Sequence, residues 1–142
     1  MTLVKTRAAF EKAITDAVTG ADSQVKVFYD NTAHAVPGKN TKYVEIELDF
    51  ASVVANEQGP GTDFHTGSVR CKIFVPRAKG TAVLSAISSS VISGLKSINA
   101  TNYVDTYAVS PRVEDIVGPI AIDLTDNSHF LGVVSCGFST NP

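Results

Sequence analysis

From Thr2 to Val18 the apolar positions recur with helical period: Leu3, Phe10, Ile14, Ala17 and Val18 fall on one arc, and Lys5, Lys12, Thr15 and Asp16 lie opposite. Thr2 is placed to cap this helix and Gly20 to end it. The pattern then changes. Gln24 to Asp30 reads as a short strand, and Pro37-Gly38 signals a turn after it. Tyr43 to Phe50 alternates cleanly, with Val44, Ile46, Leu48 and Phe50 on one face and Tyr43, Glu45, Glu47 and Asp49 on the other. Thr66 to Val75 alternates in the same way: Val69, Cys71, Ile73 and Val75 share one face, and Arg70, Lys72 and Phe74 the other. The stretch between these strands, Ala51 to Gly67, reads as a long connector, because Gly59-Pro60-Gly61 interrupts regular structure.

A second helix is predicted from about Gly80 to Ile98, with Leu84, Ile87, Val91, Leu95 and Ile98 as its apolar stripe. Its opposite side consists of Ala82, Ser85, Ala86, Ser89, Ser90, Ser93 and Ser97. Lys96 is the only charge between Thr81 and Ile98. An exposed helix face usually carries Glu, Lys and Arg, and serine favours caps and turns over helix interiors. Small side chains permit close backbone approach and lose little entropy when covered. Two accounts remain: a face covered by the first helix or by another protein chain, and a merely serine-rich exposed face.

The last third is less regular. Tyr103 to Val109 reads as a strand ended by Ser110-Pro111, Ile120 to Leu124 as a short apolar run, and Asp126 to Ser128 as a turn. His129 to Phe138 reads as a strand in which Gly132 and Gly137 suggest a bulge or close packing. The order is helix, two or three strands, helix, two or three strands. That order predicts an α+β fold: a single, mostly antiparallel or mixed β-sheet with two main helices packed on one face. At 142 residues the chain is read as one domain, residues 1–142.

Charge and composition narrow the chemistry. The net charge of −2 supplies no strong field to draw in DNA or anionic lipid. Lys5, Arg7, Glu11 and Lys12 interrupt any apolar leader, so no secretion signal is expected. Cys71 and Cys136 are accordingly read as buried thiols in a reducing compartment, and the sequon Asn99-Ala100-Thr101 as without consequence. The most apolar helical run carries serines and is too short to span a membrane.

The cations of Arg70 and Lys72 raise the question of an anion or nucleic-acid surface. Consecutive strands usually pair, which sets Glu45, Glu47 and Asp49 across from them. Pairing across the strands is then a sufficient structural reason for the cations, and the carboxylates cancel a phosphate-binding face.

Motifs for catalysis are lacking. His34, His65 and His129 show no ligand spacing, and Asp123 to His129 has neither the spacing nor the glycine of a calcium loop. Ser93-Gly94-Leu95-Lys96 fits a serine–lysine motif without its partner motifs. The segment at Gly59 lacks the lysine and the strand-to-helix setting of a phosphate loop. No enzyme, cofactor or metal site is expected on these grounds.

With its elements in this order, the chain resembles the small tail terminator, or neck, proteins of tailed bacteriophages. The likeness is carried by LVKTRAAFEKAI, YVEIELDF, GSVRCKIFVPRAKGTAVLSAISSSVISGL, the Pro111-Arg112 pair and HFLGVVSCGF, from about Leu3 to Phe138, and is weakest over Tyr103 to Ser128. The resemblance implies a virion protein without catalysis, assembled in the host cytoplasm. It would form a ring, hexameric in that family, that caps the head-proximal end of the tail tube, stops its polymerisation and joins it to the head connector. Its implied partners are further copies of itself, the tail tube protein and the head connector or adaptor. DNA only passes through the lumen, with no sequence-specific binding, and no membrane is involved. A head-completion connector or minor tube ring is the near alternative. A small-molecule-binding domain or enzyme, with a polar pocket around Asp123, Asp126 and His129, is the distant one.

On this reading the helix face of Ser85, Ser89, Ser93 and Lys96 packs against a neighbouring copy. The long connector, with Asn56, Gln58, Gly59, Pro60, Gly61, Asp63 and Phe64, reaches an adjoining ring. Arg77 and Lys79 face acidic groups across the ring.

Overall fold

The computed structural model of the chain describes residues 2–29, 41–54, 64–76, 81–100, 112–123 and 129–140. The elements are α1 (Thr2–Ala21), β1 (Lys26–Tyr29), β2 (Tyr43–Val54), β3 (Phe64–Pro76), α2 (Thr81–Ala100), β4 (Arg112–Asp123) and β5 (His129–Thr140). This is the expected α+β fold with one mixed sheet, in the order β1-β2-β3-β5-β4. β1 runs parallel to β2, and the other neighbours are antiparallel.

Both helices cover the face on which Val44, Ile46, Leu48, Val69, Cys71, Ile73, Val75, Val134, Cys136 and Phe138 are buried. The α2 stripe of Leu84, Ile87, Val91, Leu95 and Ile98 is buried there as expected. Each such side chain contributes about 1.5–3 kcal/mol of burial. α1 buries Ala9, Phe10, Ala13, Ile14 and Val18 on the same core. Leu3 departs from its expected place on that arc and is 43% exposed. Thr6, one turn later, meets Thr140, the last residue of β5, through their hydroxyls at 3.4 Å. The first turn therefore projects past the end of the strand beneath it, and Leu3 and Val4 have no sheet to cover them. The helix also continues through Gly20 to Ala21.

The two helices run antiparallel and touch most closely at Gly94. A Cβ there would lie 3.0 Å from the Ala13 carbonyl oxygen and 3.1 Å from the Ala17 Cβ. A side chain at this position would have to push α1 back by a few tenths of an ångström.

The connector proves shorter than Ala51 to Gly67, because β2 continues to Val54 and β3 starts at Phe64. Their ladder runs on past one register shift between Phe50 and Ser52, which absorbs the break in alternation. Residues 55–63, with Asn56, Gln58, Gly59, Pro60, Gly61 and Asp63, lie outside the described residues, as do Tyr103 to Val109, Asp126 to Ser128, Arg77 and Lys79.

The short run at Ile120 belongs to the longer strand β4, which begins at Arg112 and crosses Gly118-Pro119. Two register shifts break its alternation, between Val113 and Ile116 and between Val117 and Ile120. β5 itself pairs with β3 without a break, so its glycines mark close packing and not bulges. A Cβ on Gly132 would stand 2.6 Å from Leu84 Cδ1.

Candidate functional site

The sheet face without helices disposes of the cation question first. The register sets Glu45 opposite Lys72 and Glu47 opposite Arg70. Glu47 accepts Lys72 at 2.8 Å and lies 3.7 Å from Arg70. Such half-exposed cross-strand pairs contribute about 0.2–1 kcal/mol each. One end of this face is aromatic: Tyr43 stacks on Phe74 at 4.4 Å between centroids, with Phe28 and His129 edge-on to Tyr43. His129 is buried there, its Nε2 3.0 Å from the Thr41 carbonyl oxygen. Asp126 and the side chain of Asp123 lie outside the described residues, and with them the pocket envisaged around Asp123, Asp126 and His129.

The second surface is the outer flank of α2. Ser85, Ser89, Ser93 and Lys96 are all exposed, together with Ala82 and Ala86. α1 covers the Gly94 side of the helix and leaves this flank bare within the subunit. Ser90 and Ser97 return their hydroxyls to the Ala86 and Gly94 carbonyls, which satisfies them without a partner chain.

The third surface, β4, escaped the sequence reading. Among the described residues it is an edge strand of 12 residues, paired on one side only, and its Val117 and Ile120 are 49% and 54% exposed. Long apolar edges are ordinarily blunted, because they present unpaired backbone groups and sticky side chains. Asn99, at the end of α2, blunts one point: its Nδ2 donates to the Val113 carbonyl at 3.1 Å, and Val113 N–H donates to its Oδ1 at 2.8 Å. A side-chain amide thus stands in for a neighbouring strand at the beginning of β4. Farther on, Val117-Gly118-Pro119-Ile120 forms a knuckle, with a cis Gly118–Pro119 bond and Gly118 at φ 115°. Only glycine takes that φ at little cost. In the sequence Val117 and Ile120 flank Gly118-Pro119, and only the run from Ile120 to Leu124 stands out as apolar.

A fourth feature is a cleft of about 360 Å³ between the last turn of α1 and the first half of α2. Val18, Val25 and Ile87 form its apolar floor, Ala86 its rim, and the Asp22–Lys42 ion pair one wall. Lys42 and the Gln24 N–H hold the Asp22 carboxyl below its ordinary value, Lys42 having the larger effect.

Cys71 and Cys136 are free thiols on the buried face. Burial pushes Cys71 up to about 12, with Cys136 beside it adding to the rise. Burial likewise pushes Cys136 up to about 11, against the Val69 N–H, which favours the thiolate. The folded chain therefore holds two protons that the unfolded chain releases above the ordinary thiol value of 9.0. Their contribution to stability is complete below that value and is lost as pH rises toward 11–12. Urea midpoints should fall from pH 9 upward, and Cys71→Ala should flatten that fall; an unchanged slope would show that the thiols do not govern it.

Among the described residues, no group of three His, Cys, Asp or Glu side chains is placed to hold a metal. No described helix is long and apolar enough to cross a membrane.

No protein-family model matches the chain, and no curated protein does. Solved structures do match, 28 chains among them. One, which carries only an identifier in place of a descriptive name, superposes with a TM-score of 0.68 at 16% identity, over 100% of this chain and 97% of its own. At that identity the likeness speaks to the fold alone.

Proposed function

We propose that the chain is a ring-building structural subunit, of the kind that caps the head-proximal end of a phage tail tube and joins it to the head connector. One observation carries the self-association: the subunit leaves uncovered Val117 and Ile120 on the bulged edge strand β4, and a helix flank on α2 whose only charge is Lys96. Surfaces of this kind mark contacts with other chains. The tail-terminator assignment rests on the sequence resemblance from Leu3 to Phe138.

Light scattering of the purified protein tests the reading. A mass several times 15.0 kDa is expected, and 15.0 kDa at high concentration, even beside tail tubes, would overturn it. Negative-stain images then separate the near alternatives. A terminator caps tubes, a minor tube ring extends them, and a head connector binds neither end.

Ser89→Glu follows from the same reading. Ser89 is exposed, so folding should change by no more than about 0.5 kcal/mol. Self-association should weaken clearly, because a carboxylate would be buried without a partner. Equal losses in both measurements would place Ser89 inside the subunit.

A further inference from the structure

Among the described residues β4 is an edge of 12 residues, about twice the common strand length, and so a long template for another chain to pair with. The other edge, β1, has 4 residues, and brevity alone limits pairing there. β4 needs other means, and its backbone carries them.

Val113 stands opposite Phe138, and the two Asn99 bonds show that its N–H and C=O turn away from β5. Backbone groups alternate along an antiparallel ladder. Residues opposite Cys136, Gly132 and Phe130, each an even count from Phe138, therefore turn outward as well. These are Ile116, Ala121 and Asp123. The register shifts space them unevenly. From Val113 to Ile116 β4 takes three steps where β5 takes two, and from Ile116 to Ala121 it takes five where β5 takes four. Pro119, inside the second bulge, has no N–H to offer. Of the outward groups, only those of Ala121 and Asp123 keep the spacing of two that an added strand would match. Glu114 and Asp115 are exposed in the first bulge, and charges are a further guard of strand edges.

We infer that β4 is closed to strand addition, with the Asn99 amide as the plug at its start and the two bulges breaking the rest. The amide gives one donor and one acceptor to one residue, as the facing residue of an added strand would. A strand arriving at Val113 has to displace it first. The last turn of α2 sets it there, because Ile98 beside it is fully buried in the core. A partner at this border therefore meets side chains, Val117 and Ile120 foremost, and does not lengthen the sheet. This goes beyond the ring reading and does not depend on it.

The test removes the guards. Asn99→Ala takes away the plug. Deleting Asp115 takes away the first bulge and leaves Val113 and Ile116 one residue apart, both still toward the core. Asn99 is exposed, so Asn99→Ala should stay folded, with the Val113 amide exchanging at least about tenfold faster with solvent. Unchanged exchange would overturn the plug. The chain carrying both changes should form assemblies larger than the parent's at equal concentration, with the Val113 amide protected again and thioflavin T bound. Assemblies no larger than the parent's, from a doubly altered chain that still unfolds cooperatively, would overturn the seal. If the deletion prevents folding, Asn99→Ala alone decides, because the exchange is read in a folded chain. A parent that runs at 15.0 kDa overturns the ring reading and leaves this inference standing.

Discussion

Phe138→Ala should lower the free energy of unfolding by about 3–5 kcal/mol, the range for removing a buried phenylalanine. Phe138 is buried to 1% exposure, its ring 4.9 Å from that of Phe10 and 5.6 Å from that of Phe50. It therefore joins α1, β2 and β5 at one point, and the pleated strands around it are too constrained by their ladders to collapse into the space. The loss adds the transfer term of the ring to the cavity left behind. Urea or thermal unfolding reads it, and Tm should fall by about 10 °C for a domain of this size. A loss below about 1 kcal/mol would mean that the end of the core is not packed as described.

Gly67→Ala should cost about 3 kcal/mol, at the upper end of overpacking. The added Cβ would overlap the Asp49 carbonyl oxygen and stand 2.8 Å from Phe138 Cζ. The ring edge can tilt away. The carbonyl is held more firmly, because Asp49 is paired with Ser68 and Phe50 with Gly67. Phe138→Leu should consequently relieve only part of the effect of Gly67→Ala. Full rescue in the double variant would show that the ring alone forbids a side chain, and a neutral Gly67→Ala would contradict the close approach of the two strands.

How far the sequence spoke for this fold depends on how well each segment keeps its period. Tyr43 to Phe50 and Val69 to Val75 alternate without interruption, so their faces and their antiparallel pairing were legible; the register was not, since Asp49 stands opposite Ser68 and only Glu45 and Glu47 meet the cations. The α2 stripe was equally clear, because Leu84 through Ile98 keeps helical spacing over its length. β4 was not, because two bulges each insert one residue and shift the alternation out of phase. Val117 and Ile120 therefore never appeared as one surface. Leu3 has the right helical phase, but phase does not tell where the sheet beneath a helix ends. Gly94 looked like one small residue among many, although it packs directly against Ala13, Ile14 and Ala17 of α1. Of the candidate surfaces, the α2 flank was marked in the sequence by its near-absence of charge. The cleft was not, since its floor joins Val18 and Val25 to Ile87, which is distant in the chain.

The borders of this sheet are unlike in length and in sign: β1 has 4 residues with Lys26 exposed, and β4 has 12 with Glu114 and Asp115 exposed. Molecules joined through unlike borders must all point the same way around. Anything they enclose acquires a front and a back, two rims with different chemistry, from a single polypeptide. A passage made so has a direction of travel written into its walls before any second protein arrives.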